Sequence, residues 1–319
     1  MKKVALLFGG YSEESIVSLK SAKTIENNLK NVSLYKVEVT KGSWACEKDG
    51  EQVEIDKSDF SATFNGVKVC FDFAFIMIHG TPGEDGKLAA YFDMIGIPYS
   101  SSSHIASSLS FNKAFCNKYL RSYGVRVADS QVIYRYDDWK TKINEVKIPC
   151  FIKPNNGGSS LGTHKVLERE AIIPALESAF EHDEEVIVED FVAGREFTCG
   201  VVELNGEVKA LQVTEIIPQS DFFDFEQKYS KNGAKEVTPA SIDKDFEEKI
   251  KSITVNVFKY LNLSNMARVD FIGDINNLYM IEVNTIPGFS EASILPQQLA
   301  TAGIEMSDFL GTMISKTLR

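Results

Sequence analysis

Cysteine, histidine, basic charge and long apolar runs are what this chain has least of. Its 319 residues hold five cysteines (Cys46, Cys70, Cys116, Cys150 and Cys199), scattered, odd in number and without a CxxC pair. That usage excludes a disulfide scaffold and reads as reduced, mostly buried thiols of a cytoplasmic protein. The four histidines show no metal-ligand spacing. No apolar stretch approaches the roughly 20 residues needed to span a bilayer. Lys and Arg number 34 against 45 Asp and Glu, a net charge of −11. This argues against a nucleic acid or an anionic membrane as partner, since either wants a basic face. Internal repeats and low-complexity tracts are missing too. The opening MKKVALLFGGYSEES has two lysines and a short apolar run, but glycines and acids follow at once. It reads as a first strand and not a secretory signal.

What is present is the make-up of an ordinary globular protein, 44% hydrophobic and 25% charged. The length is large for one core, so two or three domains are expected. Residues 1–102 read as alternating strand and helix: a buried-type strand at 4–8, a helix at 12–29 with Ile16, Leu19, Ala22, Ile25 and Leu29 at helical spacing, an apolar run at 71–78 and a helix at 87–95. Such runs bounded by glycine loops predict a parallel, doubly covered sheet with active groups at the strand ends, where Gly9, Gly10 and His79 fall. A second block, 103–190, opens with a helix at 105–123, which places Lys113 mid-helix, and continues with strands near 131–134, 150–153 and 186–189. The third, 191–319, holds strands at 196–203 and 207–213, a patternless loop at 218–240, a helix at 245–260, a hairpin and a last helix from Met306.

The hairpin is the most informative stretch, MARVDFIGDINNLYMIEVNTIPGFSEASILP at 266–296. It reads as two strands joined by a turn centred near Ile275. Side chains alternate along a strand, so Arg268 and Asp270 share one face and Glu282 and Asn284 share one face of the next. The other face carries Val269, Phe271, Tyr279, Ile281 and Val283 as core. Three oxygen donors at a strand end suit a hard divalent cation that keeps phosphates as its other ligands. A neighbouring Arg suits negative charge that develops in a reaction. The bland alternative is a half-exposed hairpin with a wet face, but the abrupt break at 285–288 (TIPG) is more than such a hairpin needs.

Residues 151–162, FIKPNNGGSSLG, form a strand, a lysine at its end and a glycine-serine loop able to cradle phosphate oxygens. The lysine precedes the glycines, so this is not a Walker A loop. Nucleotide binding through Lys153 is the favoured reading over a plain turn. Lys113, taken alone, reads as a solvated surface lysine. Glu189 and Glu196 fit either hydrogen bonds to a nucleotide's adenine and ribose or ordinary edge charges. The loop at 218–240, with Lys228 and Tyr229, fits either a lid that excludes water or a connector.

Taken together, GGYSEESIVSL at 9–19, HGTPGEDG at 79–86, SLSFNK at 108–113, IKPNNGGSSLG at 152–162, VEDFVAGREFT at 188–198, FFDFEQKY at 222–229, ARVDFIG at 267–273 and IEVNTIPGFSEASILP at 281–296 closely resemble the D-alanine–D-alanine ligases of the ATP-grasp superfamily. The resemblance spans essentially the whole chain, and its motifs are specific through their shared order and spacing. Two places depart from it: Ser15-Ile16 after Glu14, and Glu291-Ala292 before Ser293. The resemblance implies an α/β protein, α+β in its C-terminal part, with the ATP-grasp fold in three domains and a doubly wound parallel N-terminal sheet. It implies that Lys113, Lys153, Lys228, Ser159 and Ser160 meet ATP phosphates, with Glu189 at the adenine and Glu196 at the ribose. Asp270, Glu282 and Asn284 would hold two Mg²⁺ or Mn²⁺ ions. Glu14, His79, Ser293 and Ile294 would bind the amino acids, Ser293 receiving the carboxylate of the second. Arg268 and the Gly288 amide would form the oxyanion site, and Glu14, Ser159 and Tyr229 a hydrogen-bonded triad. It further implies a cytoplasmic homodimer acting on D-alanine and ATP through an acyl phosphate. Lys228-Tyr229 favours D-alanine over D-lactate or D-serine as second substrate. The rival of another class, a non-catalytic ATP-binding protein on this fold, is disfavoured because the oxyanion and metal groups are all present.

Overall fold

The computed structural model describes residues 1–218 and 234–316. Lys228 and Tyr229, and most of the expected lid, lie outside the described residues. Sixteen strands are described, in three sheets.

The N-terminal sheet contains β1 (Lys2–Gly9), β2 (Val32–Val39), β3 (Trp44–Lys48), β4 (Glu51–Asp56), β5 (Ser61–Phe64), β6 (Val67–Val69) and β7 (Phe73–Ile76), in the order β6-β5-β4-β3-β2-β1-β7. Only β2, β1 and β7 run parallel. The strict alternation of strand and helix expected over 1–102 is corrected here: β2 to β6 follow one another as an antiparallel ribbon. The signal was the pair of dipeptides Asp49-Gly50 and Asn65-Gly66, all four residues at positive φ, the conformation of two-residue hairpin turns. Helix α1 (Ser15–Asn28) also differs from its reading. Ile16 and Leu19 are 67% and 55% exposed, whereas Ser18, Ser21, Ala22, Thr24 and Ile25 are buried. A polar stripe faces inward because its hydroxyls meet loop ends. Ser18 Oγ accepts from Gly9 N at 2.9 Å and donates to Met77 O at 2.6 Å.

After α2 (Lys87–Ile95) the chain enters α3 (His104–Phe111) and α4 (Lys113–Ser122). One continuous helix was expected; it breaks at Asn112, whose backbone is extended. The break is satisfied from outside. Lys113 N donates to Asn155 O at 3.0 Å, Ala114 N to Asn155 Oδ1 at 2.9 Å and Phe115 N to Asn112 Oδ1 at 3.0 Å. These are the amides that a helix start leaves without intrahelical partners. Lys113 is therefore the first residue of α4 and not a mid-helix surface lysine.

The four-stranded sheet, β10-β9-β11-β8, joins β8 (Ser130–Tyr134), β9 (Cys150–Pro154), β10 (His164–Val166) and β11 (Glu185–Asp190). The short helix α5 (Trp139–Lys142) and the longer α6 (Ile172–Phe180) accompany it, and Ile133, Ile152, Leu176, Phe180 and Val186 form its core. The five-stranded sheet, β14-β13-β12-β15-β16, is antiparallel throughout and joins β12 (Arg195–Leu204), β13 (Glu207–Ile217), β14 (Lys235–Val237), β15 (Met266–Gly273) and β16 (Leu278–Asn284). Helix α7 (Lys244–Tyr260) covers it, and Ala106, Cys116 and Leu120 of α3 and α4 join the same core. Helices α8 (Ile294–Thr301) and α9 (Met306–Lys316) return to the N-terminal core through Leu295, Leu299, Phe309 and Leu310.

Asn112→Ala should lower unfolding free energy by about 1–2 kcal/mol, the usual effect of losing a helix N-cap. Urea denaturation checks it; an unchanged midpoint would show that the helix break is held by other groups.

Candidate active site

The hairpin forms as expected around residues 274–277, where Asp274 Oδ1 accepts from Asn276 N and Asn277 N at 2.8 and 2.9 Å. Arg268 pairs across to Asn284 and Asp270 to Glu282. The register then shifts, so that Phe271 faces Met280 and Ile281 is the extra residue of a β-bulge. This corrects the expected core face: Leu278 and Met280 are buried in place of Tyr279 and Ile281, while Val269, Phe271 and Val283 are buried as read. Without the bulge, Glu282 would not stand beside Asp270 while Met280 stays in the core.

Arg268 and Asp270, two apart on one face, form a two-pronged pair: Nε to Oδ1 at 2.9 Å and Nη2 to Oδ2 at 2.8 Å. Thr198 Oγ1, from the neighbouring strand, donates to Asp270 Oδ1 at 2.5 Å, and Asn284 Nδ2 to Oδ2 at 3.1 Å. Burial works to lower the Arg268 pKa, but Asp270, with Glu282 and Glu84, outweighs it and raises it further. Glu196 lies two residues before Thr198, half-buried at the start of β12.

A second set of groups comes from the four-stranded sheet. Lys113 Nζ, half-buried, donates to Gly157 O at 2.6 Å. Its pKa is lowered by burial and by nearby Lys153, against the pull of Glu282 and Glu189. Lys153, at the end of β9, pairs with Glu189 on β11 at 2.7 Å, and Asn117 Nδ2 donates to the other Glu189 oxygen at 3.1 Å. Ser159 and Ser160 both take positive φ, 52° and 59°, a conformation of the loop that the glycines did not announce. The Ser159 hydroxyl donates to Glu14 Oε1, joining residues 145 apart in sequence.

The third set joins N-terminal loops to the stretch after β16. His79 Nδ1 lies 2.9 Å from Ile286 O, and Nε2 lies 3.1 Å from Ser21 Oγ. A carbonyl only accepts, so Nδ1 carries the proton, Nε2 accepts from Ser21, and Ser21 Oγ in turn accepts from Phe289 N at 3.0 Å. Burial pushes the His79 pKa down to about 4, helped by Arg268 and opposed by the Ile286 contact. Glu84, in HGTPGEDG, accepts from Gly80 N at 2.8 Å and Ile286 N at 3.3 Å. Burial, with Glu14 and Glu282 nearby, pushes its pKa up. Ser21 and Glu84 were missed as site residues. The signal for Ser21 was a polar residue on the inward side of an amphipathic helix; Glu84 had none beyond its motif. Gly288 and Ser293 lie side by side, since a Cβ built on Gly288 would stand 3.1 Å from Ser293 Oγ. That hydroxyl accepts from Ser290 N at 3.1 Å, and half-buried Ile294 begins α8.

Among the described residues no three His, Cys, Asp or Glu side chains gather as a metal cluster. Asp270, Glu282 and Asn284 offer two carboxylates and one amide oxygen. That donor set fits a hard cation that completes its shell with phosphate and water.

Two antiparallel sheets, one with a lysine and glycine-serine loop, the other with a carboxylate hairpin, define the ATP-grasp class. Family models place the chain within it: the D-ala D-ala ligase N-terminus matches residues 3–102 and the D-ala D-ala ligase C-terminus residues 119–315. The D-alanine–D-alanine ligases of Phocaeicola vulgatus and Porphyromonas gingivalis are 41% and 42% identical to it, each alignment covering 98% of both chains. The solved structure of D-alanyl-alanine synthetase A from Vibrio cholerae superposes with a TM-score of 0.90 at 30% identity, over 99% of this chain and 98% of that one. The VanG D-Ala:D-Ser ligase of Enterococcus faecalis does so with 0.88 at 31%, over 98% of each. The chain belongs to the D-alanine–D-alanine ligase family.

His79 is neutral in the fold, whereas an unfolded chain protonates it near its ordinary value of 6.5. Stability held above that value is lost as pH falls toward about 4. Glu84, with its raised pKa, acts oppositely and loses stability as pH rises, so wild type alone does not separate the two. His79→Gln should retain about 2 kcal/mol more of its pH 7 stability at pH 5 than wild type retains. Urea titrations of both proteins at the two pH values measure this; parallel losses would refute it.

Proposed function

We propose that these residues divide between them the ATP-dependent joining of two D-alanines into the dipeptide of peptidoglycan precursors, the activity of the family to which the chain belongs. A carboxylate is a poor electrophile. Transfer of the ATP γ-phosphoryl group to the first D-alanine gives an acyl phosphate and ADP. The free amine of the second D-alanine then attacks the acyl carbon, phosphate leaves, and the dipeptide remains. Lys113, Lys153 and Lys228 bind the phosphates with Ser159 and Ser160, and Glu189 and Glu196 hold the adenine and ribose. Asp270, Glu282 and Asn284 hold Mg²⁺ or Mn²⁺, two ions in all, whose charge offsets that of the phosphates. Glu14 takes the ammonium of the first D-alanine, and Ser159 and Tyr229 orient it. His79, Ser293 and Ile294 shape the amino-acid sites, and Ser293 meets the second carboxylate. Arg268 and the Gly288 N–H stabilise the tetrahedral oxyanion, a role worth about 3 kcal/mol per donor.

The observation that carries this reading is the gathering of Arg268, Asp270, Asn284 and Glu282 on one hairpin face, with Lys113 close enough for Glu282 to affect its titration. The proposal includes three domains divided near residues 102 and 190, with the amino acids meeting the first and the nucleotide lying between the other two. It also places the protein in the cytoplasm as a homodimer, supported by the family resemblance. No described helix is long and apolar enough to cross a membrane.

A second reading, transfer to D-serine, has one support: the VanG D-Ala:D-Ser ligase is as similar to this chain as the Vibrio cholerae enzyme is. Purified protein with ATP, Mg²⁺ and D-alanine alone, then with D-serine or D-lactate added, separates the two by the mass of the product. D-alanyl-D-alanine should dominate; equal or greater yield of a mixed product would overturn the D-alanine assignment.

Glu282→Gln should cut turnover by about a hundredfold or more, through loss of one charged ligand, while the thermal midpoint stays near that of wild type. Asp270→Asn is a poorer test, because it also leaves the half-buried Arg268 cation without its carboxylate. Near-normal activity of Glu282→Gln at saturating Mg²⁺ would show that the hairpin is structural.

A further inference from the structure

Gln298 lies on α8 with no exposed surface. A buried amide needs partners at both ends, and Gln298 finds them in the backbone of β12 and a hydroxyl of β13. Its Oε1 accepts from Gly200 N at 2.9 Å, and its Nε2 donates to Thr198 O at 3.2 Å and to Thr214 Oγ1 at 2.9 Å. The N–H end meets only acceptors and the oxygen end meets a donor, so the orientation of the amide is settled by its partners. The β12–β13 register shifts at this place, from Cys199 opposite Val213 to Val201 opposite Ala210. The side-chain amide thus stands in for a peptide group where the ladder is irregular.

The residues it holds are those behind the reacting face. On β15, Thr198 pairs with Asp270 and Gly200 with Arg268. Thr198 also donates its hydroxyl to Asp270. The approach is so close that a Cβ on Gly200 would stand 2.4 Å from Gln298 Oε1 and 2.5 Å from Leu295 Cδ1. A side chain at 200 would displace the tips of Gln298 and Leu295 from the strand. Helix α8 begins directly after the Ser290–Ser293 turn, whose hydroxyls lie 2.7 Å apart.

We infer that Gln298 is a positioning residue for the attacking amino acid: its amide pins α8 to β12 and so sets the distance from the Ser293 turn to Arg268 and Asp270. This rests on the assignment of Ser293 to the second D-alanine. The described groups assigned to ATP and its metal ions lie on α4, β9, β11, β12, β15 and β16 and in the glycine-serine loop, and Glu14 of the first D-alanine site precedes α1. None lies on α8, so a shift of α8 against β12 displaces the Ser293 turn and leaves those groups in place. Gln298→Met keeps the volume and removes all three hydrogen bonds. It should raise the KM for the second D-alanine by about tenfold, while the KM values for ATP and for the first D-alanine stay within about twofold.

The experiment is steady-state kinetics over D-alanine and ATP on wild type, Gln298→Met and Ser293→Ala, with thermal midpoints measured alongside. A KM rise confined to the second D-alanine in both variants supports the inference. If Ser293→Ala raises that KM and Gln298→Met leaves it unchanged, or moves all three KM values together, the inference fails alone. If Ser293→Ala leaves it unchanged, the assignment of the turn fails, and the inference falls with it. Should Gln298→Met not fold, Thr214→Val carries the test: it removes one of the three bonds at nearly constant shape, and Thr238→Val, which removes only the 2.6 Å bond between the Thr214 and Thr238 hydroxyls, is its control. Thr214→Val should raise the same KM by about threefold, and no change would overturn the inference.

Discussion

The geometry of the site depends on one half-buried cation, Arg268, and the carboxylate that neutralises it. A guanidinium taken out of water without a partner costs several kcal/mol, so its position is dictated by Asp270. Asp270 in turn is gripped from three strands: by Arg268 on its own strand, Thr198 on β12 and Asn284 on β16. Those grips fix the carboxylate and guanidinium planes together. The bulge at Ile281 on β16 and the register shift beside Gly200 on β12, where the Gln298 amide binds, are local irregularities in the two strands flanking this pair. Both satisfy backbone or packing demands that a regular ladder could not meet while holding the pair in place.

The N-terminal part reaches the same place by a different device. It presents neutral or neutralised polar groups: His79, held uncharged by burial; Glu84, whose carboxyl is pushed toward the neutral form; and the Ser18 and Ser21 hydroxyls. These tie the loops after β1 and β7 to the backbone of 286–289 without adding net charge. Among the described residues, Lys113, Lys153 and Arg268 bring positive charge to this site in a chain of net charge −11, Lys153 and Arg268 each beside a carboxylate.

Much of this was legible in the residues themselves. Two-residue periodicity set Arg268 with Asp270 and Glu282 with Asn284, because side-chain alternation in a strand is a covalent fact. The strand-lysine-glycine-serine order at 151–162 marked Lys153 for the same reason. Lys113 was not legible from its own surroundings. Its neighbours form good helix, and the break at Asn112 arises only when Asn155 and Asn156, some forty residues on, supply hydrogen bonds to the new helix start. Ile16 and Leu19 misled because apolar spacing ranks burial by hydrophobicity. Here the buried side of α1 is chosen by hydrogen bonds to Gly9, Met77, His79 and Phe289.

The sequence by itself determined many of the elements, the sharing of a face by Arg268 with Asp270 and by Glu282 with Asn284, and the family to which the chain is similar, since periodicity and motif order are local properties of the chain. Tertiary structure decided the rest: which residue of β16 is extra, which tautomer His79 adopts, why the Glu84 carboxyl resists ionisation, and what Gln298 holds. Each of these is the outcome of burial next to a group distant in sequence. Desolvation and hydrogen-bond satisfaction act through space, so no local pattern records them.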